Sequence, residues 1–487
     1  MRLLKKIIAL VITLMLTVWS INVFAATYTS TPAQVICTPN GDLKTEVGFN
    51  WLTNTTTTGN VVQIREKGSV ISFDNAMQFT STNSGLSAES TYRWHKVRAT
   101  GLQPGTKYEY RVGNGSVWST IGEFETAPAT IPSSFTFLQM NDPQASAAGT
   151  WSNALARATA RFPDFKFLLM GGDHVDKANN EDQWVQYFNE GHAVQSKTIL
   201  ASATGNHDSG NGIMHTRFNY LTPTNETTSG VYYSFDYANV HFTVLNSESI
   251  TATQTNWAKY DIVKNAKKWN VVLIHQPLYS NAKHYQDIAP VTNNWSAVLN
   301  DVLEVDVIFA GHDHTYNRTY PIKNFLPLPH SPKLTNVSVG GSIVKDLWIN
   351  PVGTINILNN VAGLKYYHQH ANADTSLFAY ALQPENPSFA GVTVTENEII
   401  NTAYYINGAN DVLIERHGIR KDLPQVKAPV NVTRQFASNR MTLTWDAPND
   451  SSVRGYVIYD DNNAYTTPFA TFFTNAETRT YNIPMLQ

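Results

Sequence analysis

Five short clusters concentrate the residue types that hold metal ions and move protons: Asn141-Asp142-Pro143-Gln144, Gly172-Asp173-His174-Val175-Asp176, Gly205-Asn206-His207-Asp208, Val272-Leu273-Ile274-His275, and Gly311-His312-Asp313-His314-Thr315-Tyr316-Asn317-Arg318. Singly, each has an ordinary reading. Gly-Asp usually marks a turn, Asn-His after Gly a polar loop, and a His closing an apolar strand a hydrogen-bonded core residue. His-x-His is sharper, because alternate residues of a strand point the same way. Together they supply carboxylate, amide-oxygen and imidazole donors, the ligands of hard and borderline divalent cations. Cys37 is the only cysteine, so neither a disulfide framework nor a multi-cysteine zinc site is open to the chain. The chemistry open to such a set is metal-assisted hydrolysis.

The elements that must position these clusters are short apolar strands. Residues 135–140, 167–170, 271–274 and 307–309 read as strands, and each runs directly into one of the clusters. They alternate with helix-capable stretches such as residues 183–192, which predicts an α/β layered domain. Active sites of such sheets lie at the carboxyl ends of the strands, so four strand ends converge on one chemical vocabulary. Before this region, residues 29–126 alternate like half-buried strands, with Val47, Phe49 and Trp51 on one face. Residues 127–134, rich in Pro, Ala and Ser, read as a linker. After it, residues 441–445 and 455–459 again have the alternation of facing strands.

In this order, the clusters resemble the calcineurin-like metallophosphoesterase superfamily, and Tyr316 and Arg318 after the paired histidines are most similar to the purple acid phosphatases. The resemblance runs from the N-terminal module to about Ile419. It implies a multidomain chain: a fibronectin type III-like β-sandwich over residues 27–128, with Tyr108 at the place of a tyrosine corner; a central α/β metallophosphoesterase domain, a β-sandwich flanked by helices, over 134–421; and a partial fibronectin type III module over 427–487, whose missing last strands read as truncation. It also implies two metal ions that generate hydroxide near neutral pH and clamp the charge developing on a phosphoryl group. By family match Asp173 bridges them, Asp142 and His314 complete the first ion's shell, and Asn206, His275 and His312 the second's. His207 would face the substrate as electrostatic clamp or general acid. His284 is either a second proton donor or a solvated loop histidine.

Two positions depart from the purple enzymes. Those enzymes carry a Tyr three residues after the bridging Asp, where this chain has Asp176. The first motif ends in Gln144 instead of Gly; Gln144 either lends an oxygen to the first metal or orients the bridging water. Both departures favour divalent Mn, Zn or Fe over a ferric-tyrosinate pair. The implied activity is hydrolysis of small phosphate monoesters by an exported enzyme. A phosphodiesterase or nucleotide-cleaving enzyme of the same superfamily is the alternative, with loops 208–229 and 279–292 choosing the substrate. A degenerate surface binding protein is the third reading, and the complete ligand set counts against it.

Composition bounds the rest. A length of 487 residues allows about two to four domains. With 35 basic and 38 acidic residues, the chain lacks the bulk positive charge that grips nucleic acid. Arg2, Lys5 and Lys6, the apolar run 7–18, and Val23-Phe24-Ala25 predict a signal peptide over residues 1–25. The expected destination is secretion, the cell surface or the periplasm, with no stable membrane insertion after cleavage. The sandwich modules are candidates for cell-surface contact.

Overall fold

The structure is a computed structural model that describes residues 27–144, 147–210, 212–223, 231–421, 429–437, 440–446, 456–458, 470–472 and 480–484. The expected signal segment lies outside the described residues. No described helix is long and apolar enough to cross a membrane.

The first domain is a sandwich of two antiparallel sheets. One contains Ala33–Thr38, Val47–Thr53, Arg93–Ala99 and Ser84–Leu86; the other contains Met77–Thr80, Val61–Glu66, Lys107–Gly113 and Gly122–Glu125. Phe49, Tyr108, Tyr110 and Phe124 interlock between the sheets. The Tyr108 hydroxyl accepts a hydrogen bond from the Gln103 backbone N–H at 2.8 Å, which pins the turn before its own strand as a tyrosine corner does. Cys37 is a free, fully buried side chain of this core.

The central domain is a second sandwich, of two mixed sheets with helices outside. In the first, Ser134–Met140, Phe167–Met170 and Ile199–Ser202 run parallel. In the second, Val240–Val244, Trp269–Leu273, Val307–Ala310 and Ile355–Asn359 run parallel. Parallel strands are covered on both faces and so read as unbroken apolar runs; Phe167–Met170 and Val307–Ala310 are buried at every position. Phe137 and Phe167 from one sheet meet Phe242 and Phe309 from the other edge-to-face, closing the layer between them.

Helices Thr150–Arg161 and Glu181–Gln195 cover the first sheet, and Ala252–Lys264 and Ala289–Ser296 the second. Asn180 caps its helix by accepting from the N–H groups of Asp182 and Gln183. The helix Thr150–Arg161 has no cap of its own; Glu190 of the neighbouring helix accepts from Gly149, Trp151 and Ser152 instead.

The two domains share one sheet. Cys37 of Ala33–Thr38 pairs in parallel with Ile199 of Ile199–Ser202, so a single twelve-stranded sheet passes from the N-terminal sandwich into the central domain. Buried Asn219 seals the junction: its side-chain amide donates to the carbonyls of Phe49 and Val97, and its own carbonyl accepts from Thr38 and Asn40. This sharing is not visible in a reading of two modules joined by a linker. Tyr316 and Arg318 do not reach the site. Arg318 is buried in ion pairs with Glu415 at 2.6 Å and Asp346 at 2.9 Å, tying the two sheets together. Near the C-terminus, Val430–Ala437 pairs with Arg440–Asp446, which pairs with Thr480–Pro484, and Tyr456–Ile458 pairs with Ala470–Phe472.

A charge cluster around the buried His241 gives the fold a pH signature. His241 lies between Asp236 at 2.7 Å and Asp261 at 3.0 Å, and Lys267 pairs with the far oxygen of Asp236 at 2.9 Å. Burial alone would lower the His241 pKa, but the two carboxylates push it up to about 9. The charged form is therefore the folded form. Its stabilisation is complete below the ordinary histidine pKa of about 6.5 and is lost as pH rises through about 9, an effect on the order of 3 kcal/mol. Denaturant titrations across that window should show the loss in the parent protein and a flatter profile in His241→Gln.

Candidate active site

The five clusters meet where the carboxyl ends of the parallel strands of both sheets face each other. Ser134–Met140, Phe167–Met170 and Ile199–Ser202 deliver Asp142, Asp173 and Asn206; Trp269–Leu273 and Val307–Ala310 deliver His275 and His312 with His314. The chain must turn sharply as it leaves each strand. Asp142 (φ 47°), Gln144 (φ 47°), Asp173 (φ 52°) and His312 (φ 71°) all take left-handed backbone. Such conformations cost about 1–3 kcal/mol each in non-glycine residues and persist only where the surroundings enforce them.

The enforcement is visible in the contacts. The Asp142 carboxylate accepts from the His312 N–H at 3.1 and 3.2 Å. Asp173 accepts from the His207 N–H at 2.9 Å and from the Gln144 side-chain amide at 3.3 Å. Behind them stands a fully buried clamp. His174 donates its backbone N–H (2.9 Å) and Nδ1 (2.8 Å) to Asp208, and its Nε2 lies 2.9 Å from Ser202 Oγ. The clamp locks the loop carrying Asp173 to the loop carrying Asn206. It has the residue types of a serine-hydrolase triad, but no exposed oxygen, so it positions and does not react.

Ligand atoms of Asp142, Asp173 and His275 all lie within 4.8 Å of one another, and all three side chains are buried. His275 Nδ1 donates to the Gly171 carbonyl at 2.8 Å, turning Nε2 toward Asn206 Oδ1 (2.9 Å) and Asp173 Oδ1 (3.4 Å). Asn206 Oδ1 also meets His312 Nδ1 at 2.8 Å. His314 Nδ1 donates to the Lys365 carbonyl at 2.6 Å, which leaves Nε2 facing Asp142 Oδ1 at 3.5 Å. Two donor sets thus adjoin at Asp173. Burial resists ionisation of that residue, yet His275 and then His207 hold its carboxyl well below the usual range. Burial likewise opposes charge on His275, and Asp173 raises its pKa well above the ordinary value. Buried carboxylates backed by imidazoles whose outer nitrogens are tied to carbonyls are the arrangement of ligated metal sites. The donor set fits divalent cations.

The remaining sequence-predicted residues stand around this centre. His207 is part-exposed; its Nδ1 donates to the Asp176 carbonyl at 2.6 Å, and its Nε2 faces Asp173 at 3.9 Å. The Asp176 carboxylate pairs with Lys365 at 3.6 Å and lies outside the Asp142–Asp173–His275 group. Gln144 touches Asp173 directly. His284 comes 4.6 Å from the His312 ring, centroid to centroid, while its Nδ1 bonds to Asp287 at 2.8 Å and its N–H to Asp313. Tyr367, absent from the sequence reading, stacks on His314 at 4.4 Å and 15°. The run Lys365-Tyr366-Tyr367-His368-Gln369-His370 was its available signal, a dense aromatic and basic loop.

Residues 135–316 match the calcineurin-like phosphoesterase family, which defines the class of the fold and site. Residues 32–126 match the purple acid phosphatase N-terminal domain. The chain thus joins a region matching the purple acid phosphatase N-terminal domain to a region matching the calcineurin-like phosphoesterase family. Purple acid phosphatase 21 of Arabidopsis thaliana is 30% identical over 292 residues, covering 54% of this chain and 63% of that protein. Phosphoenolpyruvate phosphatase of Allium cepa is 26% identical over 307 residues, covering 55% and 61%. The match thus spans less than two thirds of the length of these relatives. A purple acid phosphatase from yellow lupin (Lupinus luteus) superposes with TM-score 0.66 at 16% identity, over 81% of this chain and 75% of that one, a likeness of fold.

Asp208→Asn tests the clamp. Isothermal titration with Zn2+ or Mn2+ should show affinity reduced about 10- to 100-fold, as for other groups that orient metal ligands, with circular dichroism showing the fold retained. Unchanged affinity in the folded variant would remove Asp208 from that role.

Proposed function

We propose that the protein is an exported phosphatase that hydrolyses phosphate monoesters at a dinuclear metal centre. The observation that carries this reading is the convergence of Asp142, Asp173 and His275 within 4.8 Å, with Asn206 and His312 joined to them through one amide oxygen. Asp173 lies at the junction of the two donor sets and bridges them. Asp142 and His314 would hold one ion, and Asn206, His275 and His312 the other. Bound there, the two cations would supply positive charge for the phosphoryl oxygens and a nucleophile near neutral pH.

The chain's own residues do the rest. The Asp176 carbonyl fixes the His207 Nδ1 proton, so Nε2 is the nitrogen that turns to the ester, and with the ring doubly protonated it donates to a phosphoryl or leaving-group oxygen. Gln144 donates to Asp173 through Nε2 and so restrains that carboxylate. His284, adjoining His312 and held by Asp287, is placed as a second donor at the mouth. Asp176 occupies the place of the family's tyrosine with a carboxylate already paired to Lys365, which supports Mn2+, Zn2+ or Fe2+ over a ferric-tyrosinate pair. We read residues 1–25 as the export signal, 27–128 and 134–421 as the two domains described above, and 427–487 as a fibronectin type III-like module, on the strand pairing of its described residues.

Elemental analysis of the purified protein should find two equivalents of metal and no visible tyrosinate–iron band. Phosphate release from 4-nitrophenyl phosphate should exceed turnover of bis(4-nitrophenyl) phosphate; the reverse order would make the enzyme a diesterase. Asp173→Ala should abolish turnover, and undiminished activity would end the assignment. His207→Ala should lower kcat by about 10²- to 10⁴-fold.

A further inference from the structure

Two loops that carry no expected metal ligand close one side of the site. Residues 280–288 hold Lys283 and His284, and residues 363–373 hold Lys365 and Tyr367. Backbone contacts bind them together: the His370 N–H donates to the Asn281 carbonyl at 2.8 Å, and the His370 ring stacks on Tyr285 at 4.6 Å. The base of the first loop is fastened to the His-x-His segment, since the Asp313 carboxylate accepts from Ser280 Oγ and from the His284 N–H. The wall is thus part of the site's framework.

Its charges are unevenly paired. Lys365 is matched by Asp176 at 3.6 Å, and His284 by Asp287 at 2.8 Å. Lys283 has no carboxylate within ion-pair distance among the described residues; its ammonium stands 4.5 Å from the centre of the Tyr367 ring. The same ring stacks on His314 at 4.4 Å. One aromatic ring therefore stands between a candidate metal ligand and an unpaired cation, and the cation–π contact holds that exposed ammonium against the wall. Tyr367 and Lys283 thus form a wall beside His314, which a leaving group directed to that side of the site would meet.

We propose that Lys283, presented on Tyr367, is a specificity-determining residue that favours phosphate monoesters whose leaving group carries a second negative charge, a carboxylate or another phosphate, near the scissile ester. This rests on the phosphatase reading above and narrows it. An uncharged leaving group gains only packing on the ring. An anionic one also gains the attraction of a cation that no protein carboxylate neutralises, and that gain should shrink as salt rises.

The metal-loaded full chain is assayed with 3-phosphoglycerate and glycerol 3-phosphate, which differ by a carboxylate against an alcohol, and with 4-nitrophenyl phosphate as reference. The expected result is a kcat/KM at least about tenfold higher for 3-phosphoglycerate than for glycerol 3-phosphate. The difference should lie mainly in KM and weaken with ionic strength. Lys283→Ala should erase most of the preference, and Lys283→Arg should restore it. Release from 4-nitrophenyl phosphate with no preference between the other two, or an equal preference in Lys283→Ala, overturns this inference and leaves the phosphatase intact. No release from any of the three esters overturns the phosphatase reading and this one with it.

Discussion

Asp142 and Asp173 are two carboxylates, each 1% exposed, held within a few ångströms of each other in the interior of a protein. Like charges so placed repel, and burial penalises each one further. Much of the local structure answers that cost. Backbone N–H groups of His207 and His312 are aimed at the carboxylates, and His275 and His314 bring imidazoles to them. Two glycines leave the necessary room: a Cβ on Gly205 would sit 2.0 Å from an Asp173 oxygen, and one on Gly311 2.5 Å from an Asp142 oxygen. The left-handed turns at Asp142, Asp173 and His312 are the backbone share of the same cost.

The two-sheet architecture makes such a site affordable. No single strand end could bring so many donors together, because neighbouring strands lie about 4.8 Å apart. Facing sheets solve this by aiming two sets of carboxyl ends at one seam. The aromatic layer of Phe137, Phe167, Phe242 and Phe309 keeps the sheets in register behind it. Arg318, bound to Glu415 and Asp346, makes a second tie between them. Rigidity at the seam allows the strained turns to persist.

Much of this was legible in the sequence because parallel strands write themselves as apolar runs that end abruptly in polar residues. Met140 to Asp142, Met170 to Asp173 and Ile274 to His275 are breaks of that kind, and the structure places each at the site. What escaped had no such marker. Tyr367 follows His314 by a long stretch, and only the packing of loop on loop brings their rings together. Arg318 looks like part of the chemical motif, yet it lies in the strand Tyr316–Thr319, past the loop of paired histidines, and is held there by Glu415 and Asp346. Asp208 and His174 sit inside the motifs, but their mutual bond depends on a contact between two strands that local pattern cannot specify. The pairing of Cys37 with Ile199 is another such contact: Ala33–Thr38 reads as an ordinary sandwich strand, and its parallel neighbour comes from a different domain.

That shared sheet bears on how such a protein can be rearranged in evolution. A module linked only by a peptide can be exchanged between genes like a bead on a string. Here the junction also runs through a strand edge and through the buried amide of Asn219, which recognises carbonyls on both Phe49 and Val97. A gene that acquired a new N-terminal sandwich without the matching edge would expose the flank of Ile199–Ser202, the strand that leads to Asn206. Recombination at the connecting peptide would therefore reach the candidate metal ligands, and the two domains are constrained to be inherited as a pair.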